Sequence, residues 1–148
     1  LKIYLHQRLL KKLIRKKLKK IKISREINKP VSSVWEVISD LSRTDWVPGV
    51  EKIILIDDKR KFFMHGMGEI TERILLCDHI EKRLEYSAVN SPVEINHHLA
   101  TIKLSKKAGK CLFYWVTEIE PEIYGDAIKE AMVLSLNTLE GILCNQLP

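Results

Sequence analysis

Residues 94–120, EINHHLATIKLSKKAGKCLFYWVTEIE, decide the fold. On either side of the turn-forming break Lys106-Lys107-Ala108-Gly109 runs a stretch of alternating polar and apolar residues. Period-two alternation puts successive side chains on opposite faces of a strand, so the pair reads as an antiparallel hairpin. Lys103, Glu118 and Glu120 belong on the water side. Parity then sends Asn96, His98, Ala100 and Ile102 inward from the first strand, with Phe113, Trp115, Thr117 and Ile119 from the second. Pro121 closes the hairpin. After it, Tyr124, Ile128, Met132, Leu136, Leu139 and Leu143 recur at spacings of three and four, the apolar stripe of an amphipathic helix. A sheet face and a helix stripe of this kind must bury against each other.

Working back from the hairpin, more strands come into view at Arg83–Val89, Glu69–Cys77, Arg60–His65, Val50–Ile56 and Ile21–Ile27. Asn90-Ser91-Pro92, Asp78-His79, Gly66 with Gly68, and Asp57-Asp58-Lys59 separate them with turn chemistry. In Glu69–Cys77, Arg73 is the outward residue, which leaves Glu72, Ile74 and Leu76 facing inward. Two short helices are expected after the first strand. One runs from Val34 to Leu41, capped by Ser32 or Ser33, and the second covers Asp40 to Trp46, ending before Pro48. The fold class is α+β: a curved antiparallel sheet wrapped around one long C-terminal helix, a shape that encloses a cavity. Glu72, Asn96 and His98 are the polar groups on its otherwise apolar inner surface. Ile74, Leu76, Ala100, Phe113, Trp115, Ile128 and Met132 form its expected walls.

Charge separates the chain into two parts. Residues 1–23 carry ten Lys or Arg and no acid, whereas residues 24–148 are net −4, for +6 overall. In the leader, Leu5, Leu9, Leu13, Ile14, Leu18 and Ile21 keep helical spacing, with lysines, Lys16 among them, between. Residues 1–20 therefore read as a basic amphipathic helical extension, and residues 21–148 as one ligand-binding domain. No run is long and apolar enough for a membrane span, and the leader lacks the uncharged core of a secretory signal. Cys77, Cys111 and Cys144 are odd in number and widely spaced, so reduced, buried thiols are expected rather than a disulfide framework or a zinc site. A cytoplasmic location, with peripheral contact to a membrane through the leader, fits these features.

Five marks, in order, carry a family resemblance: Pro30-Val31-Ser32-Ser33-Val34-Trp35 with Asp40; Trp46-Val47-Pro48-Gly49-Val50; Thr71-Glu72-Arg73-Ile74 ending at Asp78; Tyr86 before Ser91-Pro92; and Trp115 through Glu118 to Pro121. On these the chain resembles the START-like (Bet v 1-type) superfamily, and more narrowly the polyketide cyclase/dehydrase family, over residues 21–147. The resemblance implies a helix-grip fold, a seven-stranded antiparallel sheet gripping the C-terminal helix around a pocket. It also implies binding of a lipid, polyketide or other apolar molecule, with enzymes a minority. In related hormone receptors the Glu of a Glu-Arg-Leu motif faces the pocket; that motif reads Glu72-Arg73-Ile74 here.

The favoured function is binding, or transport, of one hydrophobic small molecule or lipid, anchored by Glu72, Asn96 and His98. The rival is a cyclase or dehydratase in which Glu72 and His98 share proton transfer. A third reading is an interaction module whose cavity is filled by side chains. The bland alternative for Glu72 is an ion pair with a neighbouring Arg or Lys. His97 and His98 sit on opposite strand faces and cannot readily share one metal ion. No phosphate-binding glycine loop or paired metal-ligand motif is present, so no cofactor or metal is expected. For the leader, three readings stand: an anionic membrane surface, docking against this domain or a second copy, and a nucleic-acid arm. The apolar stripe and the scarcity of aromatics argue against nucleic acid.

Overall fold

The β-hairpin at the centre of the sequence argument forms as a two-residue turn. Lys107 pairs with Lys110 across Ala108 and Gly109, both at positive φ (49° and 79°) in this computed structural model, which describes residues 1–15 and 17–145. Two left-handed residues match the twist of the flanking strands, which explains why a glycine stands second in the turn. The strands it joins are the longest in the sheet together with β4.

In chain order the elements are α1 (Lys2–Arg15), β1 (Lys19–Ile27), α2 (Val31–Ser39), β2 (Val50–Ile56), β3 (Lys59–Met64), β4 (Gly68–Asp78), β5 (Arg83–Asn90), β6 (His97–Lys107), β7 (Lys110–Glu120) and α3 (Gly125–Cys144), with a 3₁₀ turn over Glu122–Tyr124 before α3. The seven strands form one antiparallel sheet in the order β1-β7-β6-β5-β4-β3-β2. Strands β2 to β7 meander, and β1 returns to cover the free edge of β7. This is the helix-grip fold, and three α-helices occur among the described residues.

The inner face buries Leu84, Tyr86, Ala100, Ile102, Leu104, Phe113, Trp115 and Ile119. Against it pack Val34, Trp35, Val37 and Ile38 of α2 and the C-terminal half of α3, where Leu136, Leu139 and Leu143 are at most 1% exposed. Trp35 donates its indole N–H to His79 Nδ1 at 3.1 Å, pinning α2 to the β4–β5 turn.

Four local expectations need correction. No helix forms over Asp40–Trp46. Asp40 instead accepts hydrogen bonds from the backbone N–H and the hydroxyl of Ser42, an Asx turn that diverts the chain from helix. Pro30 is the N-cap of α2, its carbonyl accepting from the Ser33 and Val34 amides, and neither Ser32 nor Ser33 serves as a side-chain cap. Leu76 faces outward at 37% exposure, because a bulge between Ile74 and Leu76 reverses the parity of β4. Cys77 takes the inward place, opposite buried Leu84. Finally, Cys144 is exposed, whereas Cys111 is buried, which raises its thiol to about 11.

Helix α1 stands apart from this core. Residues 1–11 are exposed throughout, so they do not bury against the domain, which removes that form of the docking reading for them. Lys16, Gln146, Leu147, Pro148 and the side chains of residues 12–15 lie outside the described residues, including the expected stripe positions Leu13 and Ile14. No helix among the described residues is long and apolar enough to cross a membrane.

Candidate functional site

The cavity forms where α3 changes character. Its last turns carry the leucines that close the core, but the stretch before them presents Ala127, Ala131 and Ser135 one turn apart. Those short side chains do not fill the gap to the sheet: Ser135 is buried, Ala127 and Ala131 are exposed at its edge, and a half-open space of about 230 Å³ remains between the helix and the inner faces of the strands. Tyr124, Ile128 and Met132 complete the helix side. Trp46, Phe62, Ile70, Trp115, Thr117 and Ile119 are among the residues lining the opposite wall.

Strand register locates this space at one end of the molecule. The β3–β4 turn, the 91–96 connection, the end of β7 and the start of β1 all lie there, because Met64 pairs with Gly68, Thr71 with Asn90, His97 with Glu120 and Lys19 with Ile119. Gly68 seals the two connections together: a Cβ placed on it would lie 2.9 Å from Pro92 Cγ.

Inside the mainly apolar wall sits one ion pair. Arg60 donates from Nε to Glu72 Oε2 at 2.5 Å, and both side chains are only 12% exposed. The guanidinium also lies over the Tyr86 ring, 4.6 Å from its centroid. Burial is the largest single influence on Arg60 and lowers its pKa, but the Glu72 charge, the Tyr86 phenol and the hydrogen bond to Glu72 together outweigh it and raise the value above that of an ordinary arginine. Tyr86 is held neutral: burial first, then the Glu72 carboxylate, push its phenol well above the usual range.

His98 occupies the same wall. Its Nδ1 accepts the Ala88 backbone N–H at 2.9 Å, which places the neutral ring's hydrogen on Nε2. Burial lowers its pKa, with Glu72 acting in the opposite direction, so the ring is neutral at pH 7. The Trp115 indole is buried beside Trp46. The chemistry on offer is a mainly apolar, half-open cavity with an arginine–carboxylate pair, a neutral phenol and a neutral imidazole in its wall. No cluster of three or more metal-ligating side chains occurs among the described residues.

Of the ten site residues expected from sequence, Glu72, His98, Trp115, Ile128 and Met132 line the cavity. The other five do not. Asn96 is exposed, because β6 begins only at His97; the Asn96 backbone N–H, donating to Glu120 O at 2.8 Å, is what holds it. Leu76 is on the outer face for the reason given above. Ala100 and Phe113 face inward but lie deeper, fully buried in the solid part of the core, and Ile74 is half-buried against it. Parity fixes the face of a strand residue and says nothing of its depth. Sequence reasoning missed Arg60, Tyr86 and Trp46. Arg60 was legible after the fact: it and Glu72 are equidistant from Gly66, so a turn centred there pairs them, as the register shows.

Comparison with known proteins agrees with this architecture. Residues 19–139 match the family model for polyketide cyclase/dehydrase and lipid transport. Among curated proteins none matches the sequence. Of solved structures, the Bacillus cereus protein XoxI superposes with a TM-score of 0.78 at 20% identity, over 85% of this chain and 96% of its own. An uncharacterized Bacillus thuringiensis protein gives 0.77 at 21% identity, over 86% and 100%. The Zhui aromatase/cyclase from Streptomyces sp. R1128 gives 0.74 at 16% identity, over 84% and 93%. At these identities the solved structures speak for the fold alone.

Proposed function

The chain belongs to the polyketide cyclase/dehydrase and lipid-transport family, and from that premise we propose that it binds one hydrophobic small molecule or lipid in the cavity under α3. One observation carries the reading: the small residues Ala127, Ala131 and Ser135 border a half-open, mainly apolar space of about 230 Å³. Transfer of apolar surface from water into such a space is favourable by about 25 cal/mol per Å². Orientation would come from the polar groups in the wall, with Arg60 and His98 Nε2 as donors toward an oxygen of the ligand.

Binding is favoured over proton transfer by what the candidate acid and base already do. Glu72 Oε2 is engaged by Arg60, and the one lone-pair nitrogen of neutral His98, Nδ1, is engaged by the Ala88 amide. His98 therefore has no free lone pair with which to act as a general base. Filled space is the third alternative, and the cavity volume speaks against it.

The test is native mass spectrometry of the protein as it comes from cells, followed by titration with the neutral apolar probe N-phenyl-1-naphthylamine. A retained small-molecule mass, or saturable probe binding at one equivalent, is expected. Ala131→Trp should weaken probe binding by about tenfold or more, which is about 1.4 kcal/mol, while the circular dichroism spectrum stays unchanged. A wild-type protein that retains no mass and binds no probe would overturn the reading.

A further inference from the structure

We propose that α1 is a membrane-surface helix that moors the chain to an anionic bilayer and holds the cavity end next to it. Helix α1 spans Lys2–Arg15, about 21 Å at 1.5 Å per residue. On a helical wheel Ile3, Leu5, Leu9 and Leu10 fall on one side, which Lys2 and His6 also enter, and Arg8 and Lys11 lie on the other. Those four apolar residues are 43–77% exposed. A helix with this face uncovered in water has unmet burial, and ten basic residues without one acid in residues 1–23 select what covers it. A second copy would bring ten like charges against ten. An anionic lipid surface is complementary to both faces, taking the leucines at the acyl boundary and the cations at the headgroups.

The root of the leader supplies the link to the cavity. Strand β1 begins at Lys19, beside Ile119 of the cavity wall. Lys17 pairs with Glu122 at 3.6 Å and Lys19 with Asp126 at 3.3 Å, flanking Tyr124 and Ala127. The leader therefore joins the domain at the cavity end and offsets two of the acids there. Leu18, Met67 and Ile123, 48%, 42% and 74% exposed, belong to the same end. Glu118 and Glu120 on β7 disfavour insertion of that rim into an anionic surface, so the helix makes the contact and the rim stays close above it. If the cavity takes apolar cargo, as proposed above, this places its entrance where such cargo dissolves.

Co-sedimentation of the full chain with phosphatidylcholine vesicles containing about 30% phosphatidylserine tests the mooring. Wild type is expected to pellet with these vesicles, less so as salt rises, and to stay in solution with pure phosphatidylcholine. Arg8→Gln with Lys11→Gln should weaken binding about thirtyfold, from two lost charges. Leu5→Glu with Leu9→Glu should abolish it. Ala131→Trp should bind vesicles like wild type, so failure of the cargo reading and failure of the mooring are separable. Equal pelleting by wild type and both leader variants would overturn the proposal. So would a wild-type dimer in sedimentation velocity that Leu5→Glu with Leu9→Glu dissociates, or binding to duplex DNA, if either comes without vesicle binding.

Discussion

Removing Arg60 alone should cost more than removing both Arg60 and Glu72, and the two single losses should sum to well above the loss of the double change. Two unit charges about 4 Å apart attract by about 4 kcal/mol at an effective dielectric of about 20, the scale that fits partly buried pairs. Glu72→Gln removes one charge but keeps an oxygen for the Arg60 N–H to reach. Arg60 also keeps the Tyr86 ring, 4.6 Å away, and that contact holds a cation by about 1 kcal/mol. These offsets leave an expected loss of about 2 kcal/mol for Glu72→Gln. Arg60→Met is worse, because it strands a carboxylate only 12% exposed in an apolar wall, and about 3 kcal/mol is expected.

With both changes together no unpaired charge remains, and the loss should fall back to about 2 kcal/mol, giving a coupling of about 3 kcal/mol. Urea unfolding followed by circular dichroism measures all four proteins, with the slope of the transition checking that a single cooperative step is preserved. Single losses that add to within about 0.5 kcal/mol would refute the reasoning. They would mean that water in the cavity screens the two groups as fully as bulk solvent does.

Two further outcomes follow from the same geometry. His98 is held neutral by burial, so the unfolded chain takes up that proton first as the solution is acidified. Stability should therefore fall as pH drops below about 6.5 toward the lowered native value. Urea midpoints at about pH 7.5 and pH 5.5 should separate more in wild type than in His98→Gln, and equal separations would discount the histidine. At the cavity end, Gly68→Ala forces a Cβ to within 2.9 Å of Pro92 Cγ at φ +112°, and a loss of about 2 kcal/mol is expected. Gly66→Ala, at φ +83° with open space around it, should lose about 1 kcal/mol. Thermal scans compare them, and equal losses would show that the close approach to Pro92 is not what constrains the turn.

What could be read from the sequence was what periodicity encodes. Alternation through residues 94–120 located β6 and β7 and their turn, and the stripe from Tyr124 to Leu143 located α3. Errors came where a local hydrogen bond or an extra residue broke the period. Asp40 turned the chain by capping Ser42, and the β4 bulge moved Leu76 to the outer face while leaving Ile74 in place. Neither event changes the composition of its segment, so no count of apolar spacings detects it.

The site was harder to read because a cavity is an absence of side chain, and an apolar stripe announces only presence. Tyr124, Ile128 and Met132 mark the side of α3 that faces the sheet, but they would look the same over a filled core. The distinguishing residues are their neighbours on that face. At the C-terminal half of the helix, leucines at 136, 139 and 143 reach across to the strands. Before them, Ala127, Ala131 and Ser135 do not, and space remains in front of Phe62, Tyr86 and Trp115 on the sheet opposite. The same stretch of sheet is where Arg60 finds Glu72, since a wall that borders space can host an ion pair that a close-packed interior would penalise. Small residues on one helix face and a cross-strand ion pair opposite them are thus two signatures of one cause, and a substitution that fills the first should change the surroundings of the second. Ala131→Trp should accordingly alter the coupling measured between Arg60 and Glu72, and a coupling unchanged by it would break that connection.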